Sequence, residues 1–256
     1  MLSYLLSHFF VSWRQKRALA GYFFSLSGIV YPASMALPTT PASSPMADFS
    51  RVASFYDALA GVVFGRAQRR AQQAALQAGL PLAPAAPRVL VLGGGGGWVL
   101  TELLRQCPAA QVLYLETSGA MLARAPARLR RLAPSAVGQV EFRLGSEQAL
   151  GPAEQFDVVV TFFVLDCFTL GDFPGALARL RAARRPGALW LVADFRPPRA
   201  WWQRELLRLM YLFFRFTVGL RARQLPPWPK ALRDLGLQIR HQSSYYGDFI
   251  LCQVLQ

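Results

Sequence analysis

The sequence predicts an α/β fold built on a mostly parallel sheet with helices on both faces. Three observations carry this. Apolar runs without polar alternation, such as Val89-Leu90-Val91-Leu92 and Val158-Val159-Val160, read as strands buried on both sides. Helical patterns separate them, which is the alternation of a doubly wound sheet. Five glycines, Gly93 to Gly97, close the first of these strands and open onto a helix, the place where such sheets receive ligands.

The elements follow in order. Arg88 to Leu92 is the first strand, and Leu100, Leu103 and Leu104 mark one face of the next helix, whose free N-terminal N–H groups favour an anionic group. Gln111 to Leu115 is the second strand. It ends at Glu116, placed to accept hydrogen bonds from the two hydroxyls of a ribose. Val140 to Gly145 reads as the third strand, and the apolar run from Phe156 as the fourth, with a loop reaching Phe168. Leu177 to Arg185 forms an amphipathic helix that Pro186-Gly187 turns into a fifth strand, Ala188 to Phe195. Leu237 to His241 and Phe249 to Val254 complete seven strands as an antiparallel hairpin.

Glycine spacing then separates cofactors. A dinucleotide fingerprint, Gly-x-Gly-x-x-Gly, needs a small residue at its last position, but counting from Gly93 reaches Trp98 and counting from Gly94 reaches Val99. The spacing that remains is Gly93-x-Gly95-x-Gly97. Following a hydrophobic strand and preceding Glu116, it resembles the first motif of the class I S-adenosylmethionine-dependent methyltransferases, whose sheet is Rossmann-like. The sequence departs from that family at Val91, where an acidic residue is usual.

The resemblance implies S-adenosyl-L-methionine as cofactor, held by Gly93, Gly95, Gly97 and Glu116. It places Met121 at the start of the next helix, either against the adenine or in the helix core. Ser146 and Glu147 stand where the family often has a group for the adenine amine, with Glu147 the candidate by position. Thr161, Phe162 and Phe163 are expected to border the sulfonium, whose charge is drawn to an aromatic face; the alternative is plain core packing. Asp166 is the carboxylate expected to reach substrate, with a helix N-cap as its other reading. If an acceptor hydroxyl needs a base, Asp166 comes first, then Asp194, Tyr245 and His241. The resemblance covers Phe49 to Gln256. Phe55-Tyr56-Asp57 and a Phe-rich insert after the fifth strand are similar to the small-molecule branch that includes quinone-biosynthesis enzymes. The expected function is therefore methyl transfer to a small, lipophilic acceptor. A non-catalytic cofactor-binding module and an RNA or DNA methyltransferase are the alternatives.

Substrate choice is expected in the insert. From Trp201 to Leu220 nearly everything is apolar, while Arg204, Arg208, Arg215 and Tyr211 fall within about 60° of one another on a helix. Such a helix is a lid over the site, an interfacial helix touching anionic lipid, or an ordinary packed helix. Leu225-Pro226-Pro227-Trp228-Pro229 stops it.

Composition sets the outer bounds. At 256 residues and 53% hydrophobic content the chain supports one sizeable α/β domain. The net charge is +14, yet Lys16 and Lys230 are the only lysines among 28 basic residues. The clusters at Arg66-Arg69-Arg70, Arg124 to Arg131 and Arg179 to Arg185 lie on separate predicted helices and read as solvated faces. No zinc spacing or RNA-binding module focuses them on nucleic acid. Cys107, Cys167 and Cys252 are far apart and odd in number, and His8 and His241 are the only histidines, so neither a disulfide framework nor a metal site is expected. A reducing, cytoplasmic setting fits. Nothing in the sequence specifies an oligomeric state.

Residues 1–45 read as a leader or linker, and 46–256 as the domain, with its helical insert near 201–230. Arg14, Lys16 and Arg17 precede an apolar stretch with the form of a signal-peptide core, and Pro38 to Pro45 is a Pro/Ser/Thr/Ala linker. The expected natural start is Met46, with a targeting or anchoring leader and a disordered extension as alternatives.

Overall fold

The computed structural model describes residues 63–256. The expected start at Met46, the leader and the Phe55-Tyr56-Asp57 motif lie outside the described residues. Helices α1 (Ala67–Gly79), α2 (Trp98–Gln106), α3 (Gly119–Leu132), α4 (Phe173–Ala182), α5 (Trp201–Val218) and α6 (Trp228–Asp234) surround seven strands. These are β1 (Arg88–Leu92), β2 (Gln111–Glu116), β3 (Val140–Leu144), β4 (Phe156–Phe162), β5 (Arg184–Phe195), β6 (Ile239–Tyr245) and β7 (Ile250–Leu255).

The sheet order is β3-β2-β1-β4-β5-β7-β6. Strands β1 to β5 run parallel, and β7 lies antiparallel between β5 and β6. The order reverses between β1 and β4, so a crevice opens beyond their carboxyl ends. That is where Gly93 begins.

Strand alternation builds two cores. Val89, Val91, Val112, Tyr114, Val158, Val160, Leu189 and Leu191 face one side, packed under Leu76, Leu100, Leu103 and Leu129 of the first three helices. Leu90, Leu92, Leu113, Leu115, Val159, Trp190 and Val192 face the other, under α4 and α6. Period-2 strands with both sides covered explain why the runs carry no polar alternation. A third, smaller cluster joins Cys167 to Tyr211 and Val218 of α5 and to Leu220 and Ala222 beyond it.

Several boundaries differ from the expected ones; β6, expected over Leu237 to His241, runs Ile239–Tyr245, where it pairs with β7 as far as Tyr245↔Ile250. Helix α4 starts at Phe173, because Thr169 and Asp172 form a reciprocal turn at its entrance: the Asp172 N–H donates to Thr169 Oγ1, and that hydroxyl donates to Asp172 Oδ2. The helix ends at Ala182, and β5 begins at Arg184 rather than Ala188. Pro186-Gly187 is absorbed as an irregularity within the strand, where pairing jumps from Phe156↔Arg184 to Val158↔Leu189; Gly187, at φ +73°, supplies the dihedral this requires. No described helix is long and apolar enough to cross a membrane.

Candidate active site

A cavity of about 550 Å³ lies at the reversal point, floored by the glycine turn, Glu116 and Phe162. Gly93, Gly95 and Gly97 have φ of +68°, +60° and +85°, while Gly94 and Gly96 do not enter the left-handed region. The alternating spacing is thus a conformational pattern that other residues adopt only with strain. A Cβ on Gly97 would also stand 2.8 Å from the Ala125 backbone, so this glycine lets α2 and α3 approach. Gly97 precedes α2 and is one step back from the cavity wall. Around Gly95 the corresponding space is open, with no atom within 4 Å.

Glu116 ties the turn to β2. Its Oε2 accepts the Gly95 N–H at 2.8 Å, and its Oε1 accepts the Ser118 N–H at 2.9 Å. Burial pushes the carboxyl above its ordinary range, against the backbone N–H groups that favour the charged form. Thr117 donates to the same carboxylate from its backbone and its side chain, and Glu116 lines the cavity. Tyr114, one strand position inside the core face, donates its hydroxyl to the Gly95 carbonyl at 2.8 Å and steadies the same turn. Met121 is buried against the cavity, one turn beyond the Ser118 N-cap.

Phe162 and Phe163 form part of the wall, and Phe163 holds a left-handed φ of +53°. Such a backbone costs about 1–3 kcal/mol and persists only where the surroundings impose it. Here the Phe163 N–H is bound to the Ala193 carbonyl and its ring packs 5.4 Å from that of Phe195.

Two expected residues are placed elsewhere. Thr161 is fully buried on the opposite side of β4, where its Oγ1 accepts the Trp190 indole N–H at 2.9 Å. Successive side chains alternate, so Phe162 at the cavity sends Thr161 away. Glu147 is likewise outside the cavity wall. It is buried, with Oε1 3.7 Å from Arg179 and Oε2 without a partner, and burial raises its carboxyl.

Asp166 sits in the short turn Leu165–Cys167 after β4 and caps no helix. Its neighbour Cys167 lines the cavity, and Asp166 stands directly behind it, with the Cys167 thiol 3.5 Å from Oδ1. Fully buried Asp194, at the end of β5, accepts the Leu165 N–H at 2.9 Å, the Asp166 N–H at 3.4 Å and the Phe195 N–H at 2.7 Å. From the other side, Tyr211 of α5 donates its hydroxyl to the Asp166 carbonyl at 3.2 Å. Burial pushes Asp166 up to about 6 and raises Asp194, to which the charge of Asp166 adds. Burial also raises the Cys167 thiol, keeping it a neutral donor. His241 and Tyr245 lie on the edge strand β6, outside the cavity wall.

Sequence reasoning missed the opposite wall. Arg66, Gln68, Arg69 and Gln72, on and just before α1, face the glycine turn, and the Arg69 guanidinium lies 5.7 Å from the Trp98 ring centroid. These arginines read as part of a solvated cluster, because the sequence does not say which sheet end α1 covers. The only signal available was their position just upstream of the first strand.

The geometry has counterparts. A family model described as a methyltransferase domain matches residues 90–190. A malonyl-[acyl-carrier protein] O-methyltransferase of Magnetococcus marinus is 33% identical over 110 residues, covering 43% of this chain and 38% of the relative. A ubiquinone/menaquinone biosynthesis C-methyltransferase of Dinoroseobacter shibae is 31% identical over 149 residues, covering 57% of each. The matched region thus spans less than two thirds of either relative. Among solved structures, an O-methyltransferase family protein from Burkholderia thailandensis superposes with a TM-score of 0.61 at 18% identity, covering 82% of this chain and 62% of that one. The 1,6-didemethyltoxoflavin-N1-methyltransferase of the same organism, solved with 1,6-didemethyltoxoflavin and S-adenosylhomocysteine, gives 0.58 at 18% identity and 80% and 85% coverage. The family match falls on the strands, the glycine turn and the acidic strand end that build the cavity, and over residues 90–190 the chain is similar to a methyltransferase domain.

Proposed function

We propose that this chain transfers the methyl group of S-adenosylmethionine to a small, lipophilic acceptor. The observation that carries the reading is Glu116, a buried carboxylate tied to the glycine turn and lining a cavity whose floor is that open turn. The residues fit the cofactor. Glu116 would accept the ribose hydroxyls, Met121 and Thr117 would flank the base, and Arg66 and Arg69 on the far wall are complementary to the carboxylate at the methionine end. Val91, buried where the family usually has an acid, offers no polar contact there. Glu147 remains a candidate for the adenine amine through its unpartnered Oε2, and Thr161 supports β4 from behind.

When bound, the cofactor supplies a methyl group already activated on a sulfonium. The protein's part is positioning and water exclusion. Phe162 and Phe163 present aromatic surface suited to a cationic centre. Asp194 and Tyr211 hold the 165–167 turn at one end of the cavity, and Asp166 is the carboxylate that would take a proton from an acceptor hydroxyl. The family's small-molecule relatives support the acceptor class, and the apolar inner face of α5 beside Cys167 supports its lipophilic character.

Calorimetry with S-adenosylmethionine and S-adenosylhomocysteine tests the cofactor site, and a labelled-methyl screen of lipid and polar extracts tests transfer. Label is expected in the lipid extract. Binding of neither compound would end the proposal, and nuclease-sensitive label would assign the activity to nucleic acid.

A further inference from the structure

Helix α5 divides cleanly into two faces. Gln203, Leu206, Tyr211, Thr217 and Val218 are buried against the domain. The outward face carries Trp201 and Phe216, each 72% exposed, with Leu212 at 48% and Leu209 at 38%. At about 100° per residue these four apolar side chains occupy roughly 80° of arc, and Arg204, Arg208 and Arg215 occupy about 40° immediately beside them. All three arginines are exposed, and the strip from Trp201 to Phe216 is about 22 Å long. Glu205 is the acidic residue of this face, and it is paired with Arg208 at 3.1 Å. Among the described residues Arg204 and Arg215 carry no ion pair. Two more exposed arginines, Arg221 and Arg223, follow the helix.

We infer that the outward face of α5 docks on the surface of a membrane containing anionic lipid, with α5 lying parallel to the bilayer. Exposed indole, phenyl and leucyl groups insert at the acyl boundary while an adjoining row of guanidinium groups meets headgroup phosphates. Charge selects this occupant, because the apolar strip is flanked along its length by three exposed arginines, two of which, Arg204 and Arg215, carry no ion pair among the described residues. Arginine stems reach sideways without withdrawing the apolar groups. The broad apolar surface expected to need cover is therefore covered on its inner half by the domain and on its outer half by lipid.

Flotation of the full chain with vesicles of phosphatidylcholine alone, or of phosphatidylcholine and phosphatidylglycerol at about three to one, tests this. The expected result is binding to the mixed vesicles that weakens with salt. A triple Arg204→Gln, Arg208→Gln, Arg215→Gln variant should bind roughly a hundredfold more weakly, and Leu212→Ser with Phe216→Ser more than about tenfold more weakly. Unchanged melting temperatures would show both variants folded, as expected for exposed positions. No binding by the wild type, or equal binding by wild type and variants, would overturn the inference. So would a dimer in sedimentation velocity that Leu212→Ser with Phe216→Ser separates while vesicles are ignored, since the face would then join two copies. The assay uses no cofactor, so its failure leaves the methyl-transfer reading untouched.

Discussion

One carboxylate, Glu116, holds the glycine turn and the start of α3 while facing the cavity. Replacing it by Gln keeps the shape and removes the charge; cofactor affinity should fall by about tenfold to a hundredfold, the worth of hydrogen bonds to a charged group, measured by calorimetry. Because burial raises this carboxyl, wild-type affinity should weaken on acidification at a higher pH than for an ordinary glutamate. Protonation would remove an acceptor that the ribose hydroxyls need. Asp194 is a second residue with three simultaneous tasks. Asp194→Ala would leave three N–H groups without their acceptor, a loss of about 1–3 kcal/mol each where burial is complete, seen as a lower melting temperature. If Asp166 is the base, the methyl-transfer rate should rise through about pH 6, the value to which burial pushes its carboxyl, and Asp166→Asn should abolish that rise. For stability the same raised value works in the opposite direction. A folded value of about 6 against about 3.9 unfolded means that Asp166 contributes stability below about pH 4 that is lost as pH rises to about 6, and Asp166→Asn should flatten that decline.

Elements decide which residues reach the site. Strand β4 sends Phe162 to the cavity and Thr161 to Trp190. The run 156–163 is apolar on both sides, so its composition does not say which parity faces the ligand; that information exists only once β1 and β5 are paired to it. Thr161→Val tests the assignment: an unsatisfied Trp190 N–H should cost about 1–3 kcal/mol of stability with cofactor affinity unchanged. By contrast, the glycine spacing was legible, because positive φ is written in residue type at Gly93, Gly95 and Gly97. So was Glu116, at the end of a strand defined by its apolar run. Arg66 and Arg69 were not, since the tilt of α1 over the sheet is set by packing rather than by local pattern. Pro186-Gly187 looked like a turn, and a bulge in β5 satisfied the same dihedral demand.

Across the whole molecule, the strand order placed the cavity where the topology reverses, and that much followed from alternating strands and helices. The excess of arginine spreads over several helices, yet the stripe of Arg204, Arg208 and Arg215 was legible in the sequence, and the fold sets it beside exposed apolar groups on α5. The order of strands carries another consequence. Strand β7 follows all others in the chain but is wholly buried between β5 and β6. While a ribosome is still making it, β5 ends in an open, strongly apolar edge, the kind of surface that pairs with other nascent chains. Productive folding therefore waits for the residues after Asp248, and a chain stopped there should be recovered in the insoluble fraction even though it contains the entire glycine turn, Glu116 and Asp166.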